Sequence, residues 1–415
     1  MHTQSKSKIR AQRKNHLNLK MKLQNNDIII DDNFPCSSAG EMRIIESGIS
    51  EIGYKPEEIP QWFQYLLDEL FDGAGVPKEY MAHVRVRHLG NRAKRVILRF
   101  LLSQKGASYM YPPWWIWREN TGWAWVPYEN TDFHPAEHID ISVPIQPGET
   151  LRIASAPYEE PSVVCEQARQ LSEQYDIWTY REIGYSAQGR PICVLETQPR
   201  DLTLLVDATM QSCEPVSWGI LHVAHSLTIP TARTQRLLDH IQFCLLPITN
   251  PDGICEGRSV TNAMGEVPKF GINHLVEGKS APRETAALWQ YILDKKPDAS
   301  IEVHAHFTRP DFTRSIGMHD KASMPHHLRA KAEILEQAIF ENYHIEPLKN
   351  RKVLIDPRQP EHNVYGDKHI CEQAGTIRTF LQAIPDSIDA HNADVKEMVE
   401  TVAHALIKWQ KSGTS

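Results

Sequence analysis

The chain has 415 residues, of which 41% are hydrophobic and 23% are charged, and its formal net charge is −7. This composition is that of an ordinary soluble globular protein with enough residues for two domains. The acidic balance gives no support to a role in binding nucleic acid. No apolar run is long enough to cross a membrane, and nothing in the sequence indicates the oligomeric state.

The chain begins with a basic, irregular segment, for which residues 1–40 are assigned to a disordered tail. The first 22 residues contain seven lysines and arginines and no acid. A transit peptide is the alternative interpretation, whereas a secretory signal is excluded because no apolar stretch follows. The seven cysteines are scattered and form no CxxC pair, which argues against a disulfide framework and a thiolate zinc site. We therefore expect a cytoplasmic location.

Residues 41–158 are predicted to form a small antiparallel β-sandwich domain, because short strands alternate with Pro/Gly turns. The predicted strands are Val84–His88, Val96–Leu102, Ile139–Ile145 and Leu151–Ala154, and Pro60–Phe71 is predicted to be an additional helix. Half of the ten tryptophans fall between Trp114 and Trp125. We interpret this cluster as core or as an inter-domain seam, and a sugar- or peptide-binding face is the alternative.

Residues 159–415 alternate between helical and strand patterns, which predicts a mixed α/β sheet with helices on both faces. The predicted helices are Ser162–Tyr175, Val216–Leu227, Arg283–Leu293, 322–342 and Ser387–Lys411. The predicted strands are Ile192–Glu196, Thr203–Asp207, Ile241–Pro247, Ser300–His304 and Gly375–Gln382. The continuous apolar runs of several of these strands are typical of buried parallel strands.

Polar residues follow three of the predicted strands, at the positions where ligands bind in open α/β sheets. Gln211 and Glu214 follow the second strand, the turn Asn250-Pro-Asp-Gly253 follows the third, and His304 and His306 end the fourth. Each signal alone has an ordinary structural explanation, such as a β-turn or an acid at a helix N-terminus. Their order along the chain carries more weight than any one of them.

In that order the three elements resemble the zinc carboxypeptidases, in which His-x-x-Glu, an Asn-Pro-Asp-Gly turn and a further His follow successive strands. The front domain, with Leu151–Ala154 and Ala156-Pro157-Tyr158, resembles the cytosolic carboxypeptidase branch. The resemblance implies a catalytic zinc ion held by Glu214, His304 and a third ligand. At that third position stands Gln211, whose amide oxygen is a weaker zinc donor than imidazole. His306 is the alternative imidazole donor.

The resemblance also implies substrate-binding and catalytic positions, and several of them carry altered residues. Asn273 and His274 occupy the stretch where the family has Asn-Arg, and Arg258 is the candidate for the remaining anion contact. Arg378 stands where the family has its catalytic glutamate, and Leu381 does so in another register. Glu372 is the alternative general base.

Three hypotheses follow from these residues. The first is a zinc-dependent hydrolase that cleaves a C-terminal peptide or amide bond of a peptide or acyl-amino-acid substrate. The second is a catalytically silent relative that binds a peptide or anionic ligand in the remaining cleft. The third is a metal-free enzyme with Cys213 as its nucleophile, against which stands the plain interpretation of Cys213 as a buried thiol.

Overall fold

The computed structural model describes residues 21–45, 48–70, 80–102, 114–135, 137–305, 315–318, 321, 324–343, 366–383 and 387–413. Within these ranges, no helix combines the length and the apolar character needed to cross a lipid bilayer. His306 lies outside these ranges, as does the first half of the predicted tail, residues 1–20.

The front part of the chain consists of two packed β-sheets. The first sheet has the order β1-β2-β5-β11-β7-β8, and the second has the order β3-β4-β6-β10-β9. Their strands are β1 Lys22–Asn25, β2 Ile28–Asp31, β3 Met42–Ile44, β4 Ser50–Ile52, β5 His83–His88, β6 Lys94–Leu101, β7 Trp115–Arg118, β8 Gly122–Trp125, β9 Thr131–His134, β10 His138–Ile145 and β11 Thr150–Ala154. The pairs are antiparallel except that β4 runs parallel to β6.

The alternation of side chains in β5 and β10 explains how these two sheets pack. Val84 and Val86 of β5 and Ile139 and Ile141 of β10 are fully buried and share one apolar core, because successive side chains point to opposite faces of a strand. Strands β1 and β2 belong to the first sheet although they fall inside the range 1–40 predicted as a tail. The buried run Ile28–Ile30 explains their place in the sheet.

A third sheet, with the order β12-β13-β15-β14-β16-β18-β17, forms the rest of the chain. Its strands are β12 Thr179–Tyr185, β13 Pro191–Glu196, β14 Leu202–Ala208, β15 Ile241–Leu246, β16 Ala299–Ala305, β17 Ser315–Met318 and β18 Ile377–Ala383. The four central strands run parallel, and β12, β13 and β17 are antiparallel to their neighbours. The predicted mixed α/β sheet, preceded by a sheet region that is almost wholly antiparallel, is confirmed.

Helices cover both faces of the third sheet. The helices are α1 Gln61–Leu70, α2 Pro161–Gln174, α3 Ser217–Thr228, α4 Ala232–His240, α5 Pro251–Glu256, α6 Gly271–Val276, α7 Arg283–Lys295, α8 His326–Tyr343, α9 Asp367–His369 and α10 Ile388–Lys411. Side chains of α3, α8 and α10 pack on the face that carries Leu204 and Val206. Side chains of α6 and α7 pack on the opposite face, which carries Leu205.

Tight contacts join the front sheets to the third sheet. The buried Glu57 carboxylate accepts hydrogen bonds from the backbone N–H groups of Ser259 (3.0 Å) and Thr261 (2.9 Å) and from both hydroxyls. Trp114 lies in the core between the front sheets, and Trp115 packs into the core of the α/β part. The tryptophan cluster therefore lies at the seam, as the first interpretation predicted, and a cavity of about 730 Å³ opens beside it.

Candidate active site

The turn after β15 fixes the loop that carries the first candidate residues. The Asn250 side chain caps α5 by accepting from the N–H of Gly253 at 3.0 Å. The Asn250 amide also donates to the Ser212 hydroxyl at 3.0 Å. A Cβ at Gly253 would lie 1.9 Å from that hydroxyl oxygen, so only glycine fits there. The Asn-Pro-Asp-Gly turn thus positions the loop after β14 as well as starting α5.

Glu214 and His304 come together at the carboxyl ends of β14 and β16. Both are buried, and Glu214 Oε2 lies 2.5 Å from His304 Nδ1. Gln211 is half-buried, and its backbone carbonyl accepts from the N–H of Glu214 at 3.0 Å. Two of the three predicted metal-ligand positions therefore meet, and they meet through a direct hydrogen bond.

A lysine that the sequence analysis did not single out lies on the other side of the His304 ring. Lys269 follows Pro268 in the 3₁₀ turn before α6 and is buried. Its Nζ is 2.9 Å from His304 Nε2 and also forms an ion pair with Glu302. Glu302 Oε1 is itself 2.9 Å from His304 Nε2. The second ring nitrogen of His304 thus faces an ammonium group and a carboxylate.

Arg378 is the centre of the charged cluster next to Glu302. Its guanidinium forms a two-pronged ion pair with Asp207, with two N···O distances of 3.1 Å. It also lies 3.0 Å from Glu302 Oε2 and 3.5 Å from Asp367 Oδ1. Parallel pairing explains this convergence, since Asp207 is in register with Glu302 and Arg378 with Ser300. The positive charge of Arg378 is therefore already matched by carboxylates of the same chain.

Burial and neighbouring charges set the protonation of this cluster. Burial opposes ionisation of Glu302, but Lys269 and Arg378 hold the pKa of Glu302 well below its usual range. Burial and Lys269 act to lower the pKa of His304. The carboxylates of Glu214 and Glu302 have a larger opposite effect, so the pKa of His304 is raised overall. Burial raises the pKa of Asp367 to about 6, although Arg378 opposes this. The result is a nearly balanced ionic network.

The remaining predicted residues occupy different surroundings. Arg258 is buried. Its guanidinium donates hydrogen bonds to the Glu256 carboxylate at 2.7 Å and to the Thr261 hydroxyl at 3.0 Å. Glu372 is exposed in the π-helical turn before β18 and lies 3.8 Å from the ammonium of Lys368. Ligand binding by Arg258 and general-base catalysis by Glu372 stay predictions.

Two further predicted residues, Asn273 and His274, lie on α6 and are half-buried. The ring centroids of His274 and Trp62 are 5.0 Å apart. Ile272 of the same helix packs against Gly366, the neighbour of Asp367. Helix α6 therefore lies beside the charged cluster, at its rim. The role of Asn273 and His274 in binding substrate stays a prediction.

Cys213, the nucleophile of the third hypothesis, lies inside the core. Its side chain is 2% exposed, and it belongs to the apolar cluster between the sheet and α3. A reactive cysteine needs an accessible, electropositive setting. Its surroundings are those of an ordinary buried thiol.

The donor atoms at this position do not fit a catalytic zinc ion. In a tetrahedral site, with Zn–N and Zn–O bonds of about 2.1 Å, two ligand atoms stand roughly 3.4 Å apart. Glu214 Oε2 and His304 Nδ1 are only 2.5 Å apart, because they form a direct hydrogen bond with each other. The Lys269 ammonium adds a competing positive charge. Among the residues the structure describes, no three His, Cys, Asp or Glu side chains are grouped as metal ligands.

Four residues that make up most of this network were not predicted from the sequence, namely Asp207, Lys269, Glu302 and Asp367. Asp207 and Glu302 are acidic residues inside central strands that are buried along their whole length, and this was the signal that could have found them. Lys269 lies in a short turn between Val267 and Phe270, where no periodicity predicts the direction of a side chain. Arg378 reaches the site as predicted, but as the partner of acids on neighbouring strands.

Comparison with known proteins shows where this architecture occurs. Residues 164–268 match the family model described as zinc carboxypeptidase. The matched segment includes Gln211, Glu214 and the Asn-Pro-Asp-Gly turn, and it ends one residue before Lys269. No curated protein matches the sequence.

Solved structures give a longer match. A metallo-carboxypeptidase from Burkholderia cenocepacia has a TM-score of 0.69 at 15% identity and covers 92% of this chain and 100% of its own. A metallo-carboxypeptidase from Pseudomonas aeruginosa in complex with (2-guanidinoethylmercapto)succinic acid has a TM-score of 0.67 at 14% identity, covering 91% and 98%. At such identities the likeness shows that the fold is shared, including the front sheets. The chemistry has to be inferred from the site residues of this chain.

Proposed function

We propose that this chain is a carboxypeptidase-fold protein that hydrolyses no peptide bond and binds the carboxylate end of a peptide or a similar anionic ligand. One observation carries the proposal. The Lys269 ammonium and the direct Glu214–His304 bond occupy the position at which a hydrolase of this fold needs an open metal coordination site. A cytoplasmic location, where the free thiols would stay reduced, is part of the proposal.

Loss of the general base supports the same conclusion. Arg378 is always protonated, since ion pairs with Asp207 and Glu302 raise its pKa further despite burial. A guanidinium cannot accept a proton from water at neutral pH. Together with Gln211 at a ligand position, this means that the described residues offer no complete zinc donor set and no base at the position where the family has its glutamate.

The rim of the site offers the features that we assign to ligand binding. Asn273 and His274 on α6 supply an amide and an imidazole beside the aromatic ring of Trp62. We infer that His274 contacts the ligand carboxylate and that Trp62 packs on the neighbouring side chain. Arg258, in turn, orders the loop next to the rim through Glu256 and Thr261.

A zinc hydrolase is the second candidate, and a specific observation favours it. Glu214 and His304 meet at the carboxyl ends of neighbouring strands, in the order that the family pattern requires. On this alternative, Glu214, His304 and Gln211 would hold the ion once the Glu214–His304 bond opened. Bound zinc would then polarise a substrate carbonyl or activate water.

Calorimetric titration and product analysis with one pair of peptides test the proposed function. An N-acetylated dipeptide with a free carboxylate is compared with the same dipeptide carrying a C-terminal amide. We expect heat of binding for the carboxylate form only and no release of amino acid from either. His274→Ala should weaken binding about tenfold, as for the loss of one charge-assisted hydrogen bond.

The matched control for this experiment is His326→Ala, which removes an exposed histidine on α8 and should leave binding unchanged. Release of the terminal amino acid at a rate that depends on Glu214 would contradict the proposal and support the hydrolase. Equal binding of acid and amide would contradict the assignment of the carboxylate as the recognised group.

A further inference from the structure

Two cysteine thiols meet where α2 packs on β13. Cys165 lies on α2 and Cys193 on β13, and their sulfur atoms are 3.1 Å apart. Cys193 is fully buried, whereas Cys165 keeps 6% of its surface accessible. A disulfide bond has a sulfur–sulfur length of about 2.05 Å, so the two atoms need to approach by roughly one ångström.

The surroundings of the pair make the two thiols chemically different. The hydrogen bond with Cys193 is the main cause that lowers the pKa of Cys165, and Arg169 and the Tyr180 hydroxyl add to it. Burial and Glu182 act against this lowering. The same thiol–thiol bond and burial raise the pKa of Cys193.

Tyr180 and Arg169 are themselves held in place beside Cys165. Tyr180 lies on β12, the strand that pairs with the strand of Cys193. The Arg169 guanidinium, one helical turn after Cys165, lies 5.0 Å from the centre of the Tyr180 ring. Donor groups and positive charge beside a thiol favour its thiolate form, which is the form that reacts with oxidants.

We propose that Cys165 and Cys193 form an oxidisable dithiol that a small hydroperoxide converts into a disulfide. The Cys165 thiolate attacks the peroxide oxygen, which yields a sulfenic acid on Cys165 and, after one proton is taken up, releases water or an alcohol. The Cys193 thiol then attacks the Cys165 sulfur, and one water molecule leaves as the disulfide forms. The two cysteines lose two electrons, the peroxide is reduced, and a cellular thiol reverses the reaction.

Peptide mass spectrometry of the full-length protein tests this proposal. The reduced protein is treated with hydrogen peroxide, blocked with iodoacetamide and digested with trypsin. Cleavage should give peptides 153–169 and 182–200, because the Arg190–Pro191 bond resists trypsin. We expect these two peptides linked, with the loss of two hydrogens, and we expect the thiol-reducing agent dithiothreitol to separate them.

Two variants with opposite effects separate this mechanism from general oxidation. Tyr180→Phe removes the hydroxyl that helps to lower the pKa of Cys165 and should slow formation of the linked peptide about tenfold. Glu182→Gln removes an exposed opposing charge and should speed it. In Cys193→Ser the sulfenic acid on Cys165 should persist and react with dimedone.

The half-exposed Cys255, whose pKa is likewise lowered by a hydrogen bond with the Cys36 thiol, serves as the positive control for oxidation. If Cys255 becomes oxidised while Cys165 and Cys193 are recovered alkylated and unlinked, the proposal is wrong. Equal rates in the wild type, Tyr180→Phe and Glu182→Gln would also overturn it, because the surroundings of Cys165 would then have no influence.

Discussion

Replacing Arg378 by Met is expected to lower the free energy of unfolding by about 3–5 kcal/mol, the usual cost of removing one partner from a buried ion pair. The substitution leaves Asp207 and Glu302 buried beside each other, with Lys269 and His304 as the remaining partners of Glu302. The shape of the side chain is nearly kept, so the loss reports charge rather than a cavity. Chemical denaturation at neutral pH measures it.

Two comparisons make this prediction specific. Arg283→Met changes an exposed arginine of α7 and should alter the free energy of unfolding by less than about 0.5 kcal/mol. Adding Asp207→Asn to Arg378→Met should recover part of the loss, because one uncompensated charge is removed. A loss below about 1 kcal/mol for Arg378→Met would contradict the ion-pair network described for the site.

The second large effect concerns His391, which should make the protein less stable in acid. His391 is fully buried on α10, and neither ring nitrogen has a hydrogen-bond partner among the described residues. A Cβ at Gly219 of α3 would lie 3.0 Å from its Nε2, which shows how closely the helices pack. Burial lowers the pKa of His391 from 6.5 to about 3.

The direction of the pH dependence follows from proton uptake. Below about pH 6.5 the histidine of the unfolded chain binds a proton, whereas the folded protein keeps His391 neutral down to about pH 3. Acid therefore favours the unfolded state, and stability falls between these two values by up to about 5 kcal/mol, or ~1.4 kcal/mol for each unit of pH. Above pH 6.5 His391 is neutral in both states and contributes no pH dependence to the free energy of unfolding.

Denaturation at several pH values, compared between variants, measures this contribution. His391→Leu should reduce the slope of stability against pH between 6 and 4, because the titrating group is gone. His326→Leu, at an exposed position of α8, should keep the slope of the wild type. The same slope in His391→Leu and in the wild type would show that His391 does not remain neutral in the folded protein.

Most of the fold could be predicted from the sequence, because its signals are local. Helix α10 begins where the Ser387 side chain caps it by accepting from the N–H of Ala390, and the buried strand β15 coincides with the apolar run from Ile241. Strands β1 and β2 were not predicted, since strands of only four residues give almost no periodic signal.

The candidate site could be predicted only in part. The convergence of Glu214 and His304 follows from the rule that strand ends meet at one edge of a sheet. The contact of Lys269 with His304 depends on the path of an irregular turn, which no pattern specifies. The pairing of Arg378 with Asp207 depends on strand register across the sheet, which is a tertiary property.

The metal content of the purified protein is the most direct test of the central claim, that Lys269 and the Glu214–His304 bond replace a catalytic zinc site. Mass spectrometry would measure zinc per chain after chelation and again after zinc is added back. We expect far less than one zinc per chain, with the same value in Glu214→Ala and His304→Ala, and we expect tighter zinc binding only in the double variant Gln211→His/Lys269→Met. About one zinc per wild-type chain, lost in Glu214→Ala and in His304→Ala, would contradict the account and identify a working metal site.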